Sequence, residues 1–145
     1  MGTGITIVEL PAGSSWWQHG GLTTLVALRP ALDEESLLRV LAEGADAGLR
    51  YHGAVVDSRC VGVAGWRMLT NTAFGRCAYI EDLVVDPVSR SAGVGRALLA
   101  FVTDEAVARG AAALRLDSAV HRAEAHRFYF RERMHVAAFH FLRRL

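Results

Sequence analysis

Leu83-Val84-Val85-Asp86-Pro87-Val88-Ser89-Arg90-Ser91-Ala92-Gly93-Val94-Gly95-Arg96-Ala97-Leu98-Leu99 is the stretch that decides the fold. The apolar run Leu83–Val85 reads as the end of a buried strand, closed by Asp86-Pro87. Residues 90–95 make a turn poor in side chains, and Arg96 to Val102 continues as a good helical sequence. Such a turn lets backbone N–H groups come close to a ligand. The helix that starts there adds unpaired N–H groups and the positive end of its dipole. Strand, bare turn and helix together make an anion site suited to phosphate or pyrophosphate.

Two common phosphate motifs are excluded. The P-loop needs Gly-Lys, and the chain has no lysine. The dinucleotide fingerprint needs a third glycine, and Gly93-x-Gly95 is followed by Ala97-Leu98. What fits is R-x-x-G-x-G over Arg90–Gly95. Ahead of it stands Ala78-Tyr79-Ile80-Glu81-Asp82-Leu83; behind it stand Leu114–Ser118 and Ala125-His126-Arg127-Phe128-Tyr129. This order, from about Ala78 to Met134, resembles the core of the GNAT superfamily of N-acetyltransferases. The Glu81-Asp82 pair also resembles the spermidine/spermine N-acetyltransferase branch.

The resemblance implies acetyl-CoA as co-substrate and a primary amine, of a small molecule or a peptide, as acceptor. It implies that the backbone of Arg90, Ser91, Ala92, Gly93, Val94 and Gly95 holds the pyrophosphate, with Arg96 as an ionic contact or a solvated surface arginine. The backbone of Val84 and Val85 would pair with the pantetheine arm. Tyr129 would protonate the departing thiolate; a phenol near pKa 10 can give its proton to a thiolate whose thiol titrates near 8.5. Packing among Phe128, Tyr129 and Phe130 is the plainer reading, although successive helical residues point about 100° apart. Glu81 would take the amine's proton through water, and Glu81 and Asp82 would attract a cationic acceptor. Ion pairing of these carboxylates with nearby arginines is the alternative. Strand alternation places Tyr79, Glu81 and Leu83 on one face, and Ile80, Asp82 and Val84 on the other.

Two positions depart from the family pattern. Arg122 stands where many relatives carry asparagine, and Arg133 stands where many carry a helix-ending glycine. Both put the cofactor-arm contact in doubt, and they support a rival reading, a non-catalytic acyl-CoA-binding or regulatory module. In the family the acceptor is set by the N-terminal helices and the loop before the core strand, here about Trp16–Ala31 and Thr70–Arg76.

Composition sets the frame. A chain of 145 residues is expected to form one domain, residues 1–145. A small domain leaves much surface exposed, so a homodimer is expected. Net charge +1 argues against a nucleic-acid partner held by bulk charge. No apolar run reaches membrane-spanning length, and a cytoplasmic protein is expected. Cys60 and Cys77 read as free buried thiols. The six histidines lack zinc spacing, so no metal is expected. His126 is placed to reach a carboxylate.

The remaining chain reads as follows. Thr6–Glu9 is a strand, Leu22–Leu28 a helix ended by Arg29-Pro30, and Asp33 an N-cap for a helix through Ala47. Leu37, Leu38, Leu41 and Ala45 are its apolar face. Tyr51–Asp57 and Cys60–Met68 form a hairpin turning at Asp57-Ser58-Arg59; Thr70–Arg76 is a loop and Cys77–Val85 the central strand. Gly110 stops the helix after the phosphate turn. Leu114–Asp117 is a strand, Ala123–Glu132 a helix and His135–Leu142 a last strand. The expected fold is α/β (α+β), a mixed sheet of six to seven strands with helices on both faces.

Overall fold

The computed structural model describes residues 4–90 and 92–145. In chain order the elements are β1 (Thr6–Glu9), a 3-10 turn (Ser15–Trp17), α1 (Gly21–Leu28), α2 (Glu34–Asp46), β2 (Arg50–Val56), β3 (Arg59–Asn71) and β4 (Gly75–Val85). A second 3-10 turn (Pro87–Ser89), α3 (Val94–Ala108), β5 (Leu114–Leu116) and α4 (Ala123–Arg131) follow. The chain forms two compact units, Met1–Arg115 and Leu116–Leu145.

In the first unit the strands lie in the order β1-β2-β3-β4-β5. β1 to β4 pair antiparallel in succession. The approach to β5 runs the other way: Ala112 N–H donates to Arg76 O and Ala78 N–H to Ala113 O, so the two backbones rise together and the sheet is mixed. The β2–β3 turn uses Asp57 and Ser58 with φ of 49° and 62°, the two left-handed residues that a tight hairpin demands. The expected loop at 70–76 is mostly strand; β3 and β4 pair out to Asn71 and Gly75, and only 72–74 turn.

Helices cover both faces of this sheet. On one face Leu25 of α1 and Leu37 of α2 join Leu10, Trp17, Tyr51 and Val63 in the core. Asp33 caps α2 by accepting from Ser36 N–H at 2.8 Å. Leu38 and Ala45 do not belong to the apolar face expected of α2: both are exposed, and Leu41 is the residue packed on the core. On the other face α3 buries Val94, Leu98, Val102 and Ala106, a strict i, i+4 stripe. Gly62 is needed there, because a Cβ would sit 2.6 Å from Val94 Cγ1 and 2.8 Å from Leu98 Cδ1.

The expected count of six to seven strands is too high. Among the described residues there are five, and His135–Leu142 forms none. Val136, Phe139 and Phe141 are exposed. An apolar stretch becomes a strand only where a neighbour takes its N–H and C=O groups.

In the second unit α4 ends at Arg131. Arg133 takes φ 64°, with its N–H on Phe130 O and the N–H of Met134 on Tyr129 O, both at 3.0 Å. This is the left-handed helix stop that Gly110 gives α3, with Gly110 N–H on Val107 O and Ala111 N–H on Ala106 O. A side chain in that conformation costs about 1 kcal/mol relative to glycine. His126 Nε2 lies 2.9 Å from Ala119 O rather than on a carboxylate; His140 is the one beside Asp117, at 3.1 Å.

Beneath α3, His52 is buried against Phe101, ring centroids 4.6 Å apart. Its Nδ1 accepts from Trp66 Nε1 at 3.1 Å. Burial holds the imidazole below its ordinary pKa, helped by Arg50 and Arg109 and opposed by Glu9 and Glu105. Protonation would put two donors face to face. The unfolded chain takes up a proton near pH 6.5 that the fold refuses, so stability falls as pH drops below about 6.5. Urea midpoints should fall between neutral pH and about pH 5, and His52→Gln should flatten that slope. Equal slopes for both proteins would show that His52 carries none of it.

Candidate functional site

β4 does not alternate regularly. Asp82 stands opposite Gly65 and Ile80 opposite Trp66, which leaves Glu81 as an extra residue, a β-bulge. The bulge redistributes the faces expected from simple alternation. Ile80 and Leu83 lie opposite Trp66 and Ala64 on the α3 side. Tyr79, opposite Arg67, falls on the side of Asp82 and Val84. Glu81 joins them, since its Oε1 lies 3.0 Å from Arg67 Nε. Tyr79, Glu81 and Asp82 therefore share the face covered by α1 and α2.

A polar row crosses that face. Tyr51, Gly65 and Asp82 are register partners across β2, β3 and β4. The ring of Tyr51 lies over Gly65, and its Oη donates to Asp82 Oδ2 at 2.7 Å. Trp17 packs edge-on against the same ring, centroids 5.7 Å apart. From the end of α1, Arg29 Nε donates to Asp82 Oδ1 at 2.8 Å, and its Nη2 donates to Glu81 O at 3.1 Å. Asp82 is buried, so an unpaired carboxylate here would cost several kcal/mol, about 3–5 by the usual effect of removing one buried partner. Burial and the nearby Asp82 charge raise the Tyr51 phenol far above its ordinary range, which keeps it a donor.

Both carboxylates expected to attract a cationic acceptor thus have arginine partners. Arg67 Nε is buried and, despite its closeness to Glu81, makes no hydrogen bond among the described residues. Arg115, on β5, holds its guanidinium 4.9 Å from the Phe74 ring centroid and 5.8 Å from that of Tyr79. Sequence reasoning missed Tyr51, Gly65, Arg29, Arg67 and Arg115. The one signal for Arg29 was its place at the end of a helix, before Pro30.

The other end of β4 leads to the expected phosphate turn. Val84 and Val85 pair with Val63 and Gly62 of β3. β5 has three residues against eleven in β4, so its ladder does not extend to Val84 and Val85. Asp86 accepts from Val88 N–H at 3.1 Å and closes the strand. Arg90 is extended; Ser91 lies outside the described residues. Gly93 takes φ 83° and caps α3 without a side-chain hydrogen bond. A Cβ there would meet nothing within 4 Å, so the turn is open as well as bare. Ala92 and Arg96 are exposed, while Val94 is anchored in the core. The turn ahead of this helix start is therefore accessible, as an anionic ligand requires.

Tyr129 lies on α4 in the second unit, its ring centroid 5.5 Å from that of Phe128, while Phe130 is exposed. Burial raises its phenol above the ordinary value, against the pull of Arg122. Among the described residues no group of three or more His, Cys, Asp or Glu could hold a metal, and no helix is long and apolar enough to cross a membrane. Cys60 and Cys77 are buried and free, and burial pushes the Cys60 thiol up to about 11.

Residues 17–135 match the acetyltransferase (GNAT) family, and the chain belongs to it. It is 32% identical over 101 residues to an aminoalkylphosphonate N-acetyltransferase of Salmonella typhimurium; the match covers 69% of this chain and 66%, just under two thirds, of that protein. Its fold is that of an aminoglycoside N-acetyltransferase solved with CoA, at TM-score 0.82 and 17% identity over 100% of this chain and 97% of that one. Glucosamine-6-phosphate N-acetyltransferase from Arabidopsis thaliana gives TM-score 0.79 at 19% identity, over 97% and 98% of the two chains.

The polar row predicts a cost for one methyl group. A Cβ on Gly65 would sit 2.6 Å from Tyr51 Cζ and push the ring off Asp82. Gly65→Ala should lose about 2–3 kcal/mol in urea denaturation, from overpacking plus a weakened buried hydrogen bond. Tyr51→Phe, which removes only the hydroxyl, should lose about 1–3 kcal/mol. A Gly65→Ala protein as stable as wild type would contradict this geometry.

Proposed function

We propose that this chain transfers the acetyl group of acetyl-CoA to a primary amine of a small molecule. The observation that carries the reading is the open start of α3 at Gly93, with no side-chain cap, placed after the end of β4 in a chain of the acetyltransferase family. The backbone of residues 90–95, with Arg96 on the first turn, binds the pyrophosphate, and the unladdered edge of Val84 and Val85 pairs with the pantetheine amides. Holding the thioester beside the amine supplies much of the rate.

The chemistry needs two proton transfers. The amine nitrogen attacks the thioester carbonyl carbon and the carbon–sulfur bond breaks. Glu81 takes the proton released by the nitrogen, through water, and the Tyr129 phenol donates a proton to the thiolate. Aminoalkylphosphonates, the acceptors named for the Salmonella relative, are the first amines to try.

CoA should raise the melting temperature, because a ligand of the native state stabilises it by mass action. Gly93→Glu should abolish the shift by placing a carboxylate in the pyrophosphate site. Tyr129→Phe should keep the shift and lower turnover by on the order of 10²-fold. Absence of any CoA shift in the wild type would sink the reading; unchanged turnover in Tyr129→Phe would remove the tyrosine from the mechanism.

A further inference from the structure

The charge on the α1/α2 face of β4 is not what two adjacent carboxylates suggest. Asp82 is enclosed, with 9% of its side chain exposed, and it is bonded to both Tyr51 and Arg29. Glu81 has Arg67 beside it. Arg115 is added by its place over Tyr79, the residue that Arg67 opposes. Three guanidiniums against two carboxylates leave this patch positive.

The donors are disposed for a ligand. Arg29 spends Nε and Nη2 on Asp82 and Glu81, which leaves the Nη1 pair outside that contact, on a side chain that is 55% exposed. Its orientation is fixed by Asp82, and Asp82 by Tyr51, so the fork is preorganised. Arg67 is largely desolvated and, although ion-paired with Glu81, its Nε–H makes no hydrogen bond among the described residues. Arg115 lies over two rings, its Cζ 4.9 Å from the Phe74 centroid and 5.8 Å from that of Tyr79, and a guanidinium held by rings can still donate hydrogen bonds to an anion.

We infer that the acceptor amine carries an oxyanion, a phosphonate, phosphate or carboxylate, and that Arg29, Arg67 and Arg115 read it. Planar guanidinium forks match such groups with paired charge-assisted hydrogen bonds. This inference rests on the acetyl-transfer reading. It reverses the cationic acceptor suggested by Glu81 and Asp82 as a bare sequence pair.

Thiol release from acetyl-CoA should be followed with four matched amines: 2-aminoethylphosphonate, β-alanine, ethanolamine and 1,2-diaminoethane. The two anionic amines should exceed the other two in kcat/KM by roughly tenfold or more, the usual worth of a hydrogen bond to a charged group. The ratio of phosphonate to carboxylate separates the two anion types. Arg29→Gln and Arg115→Gln should each lower the anionic-to-neutral ratio by roughly tenfold, with Arg29→Lys between, since it keeps the charge and loses the fork. Methylphosphonate, which has no amine, should raise the melting temperature of the CoA-bound protein. Equal or better use of ethanolamine or 1,2-diaminoethane, an unchanged ratio in both glutamine variants, or no methylphosphonate shift would overturn the inference. If 1,2-diaminoethane is the best acceptor while CoA still shifts the melting temperature, acetyl transfer stands and anion recognition falls. If CoA gives no shift, both fall.

Discussion

The hydrogen bond from Tyr51 to Asp82 is the constraint around which the central sheet is arranged. A carboxylate on the core face of a central strand is tolerated only when its oxygens are occupied. Here one oxygen is met by a phenol from β2 and the other by a guanidinium from the end of α1. The phenol can reach only because the strand between them offers a glycine. The Asp82 carboxylate therefore links β2, across the glycine of β3, to β4 and to the C-terminal end of α1. Trp17, packed edge-on against the same ring, extends that order to the N-terminal segment.

β4 joins two kinds of chemistry. Its middle, bulged at Glu81, gathers charged side chains on one face. Its end feeds a glycine-bearing turn and the start of a helix. The bulge matters because a regular strand would have sent Glu81 and Asp82 to opposite sides of the sheet. With it, both carboxylates and the arginines that answer them occupy one surface. The apolar residues Ile80 and Leu83 are kept for the packing of α3.

Features that depend on near neighbours were legible in the sequence. The bare turn before α3, the Asp33 cap, the Asp57-Ser58 hairpin turn and the Gly110 stop are each decided within a few residues. Features decided by distant partners were not. The bulge exists only in the pairing of β4 with β3. Arg29 is 53 residues from Asp82, and nothing local marks it as that carboxylate's partner. The stretch His135–Leu142 is apolar enough to read as a strand, but composition cannot supply a neighbouring strand. Arg133 shows the opposite case: a glycine position filled by arginine still adopts the left-handed stop, at a modest conformational cost.

The cations beside β4 are all arginines, in a chain without a single lysine. In the acetyl-transfer site proposed above, this choice has a chemical consequence. A lysine at the same place would be a primary amine, and so a competing acceptor held permanently beside the thioester. Once acetylated it would lose its charge and with it the property for which it was placed. It would also shed its proton as the pH rose toward values at which free amines react. A guanidinium does none of these things: it stays charged at every pH the protein survives. The cationic surface is thereby inert to the reaction it adjoins, and its charge is independent of the protonation step that the acceptor must undergo.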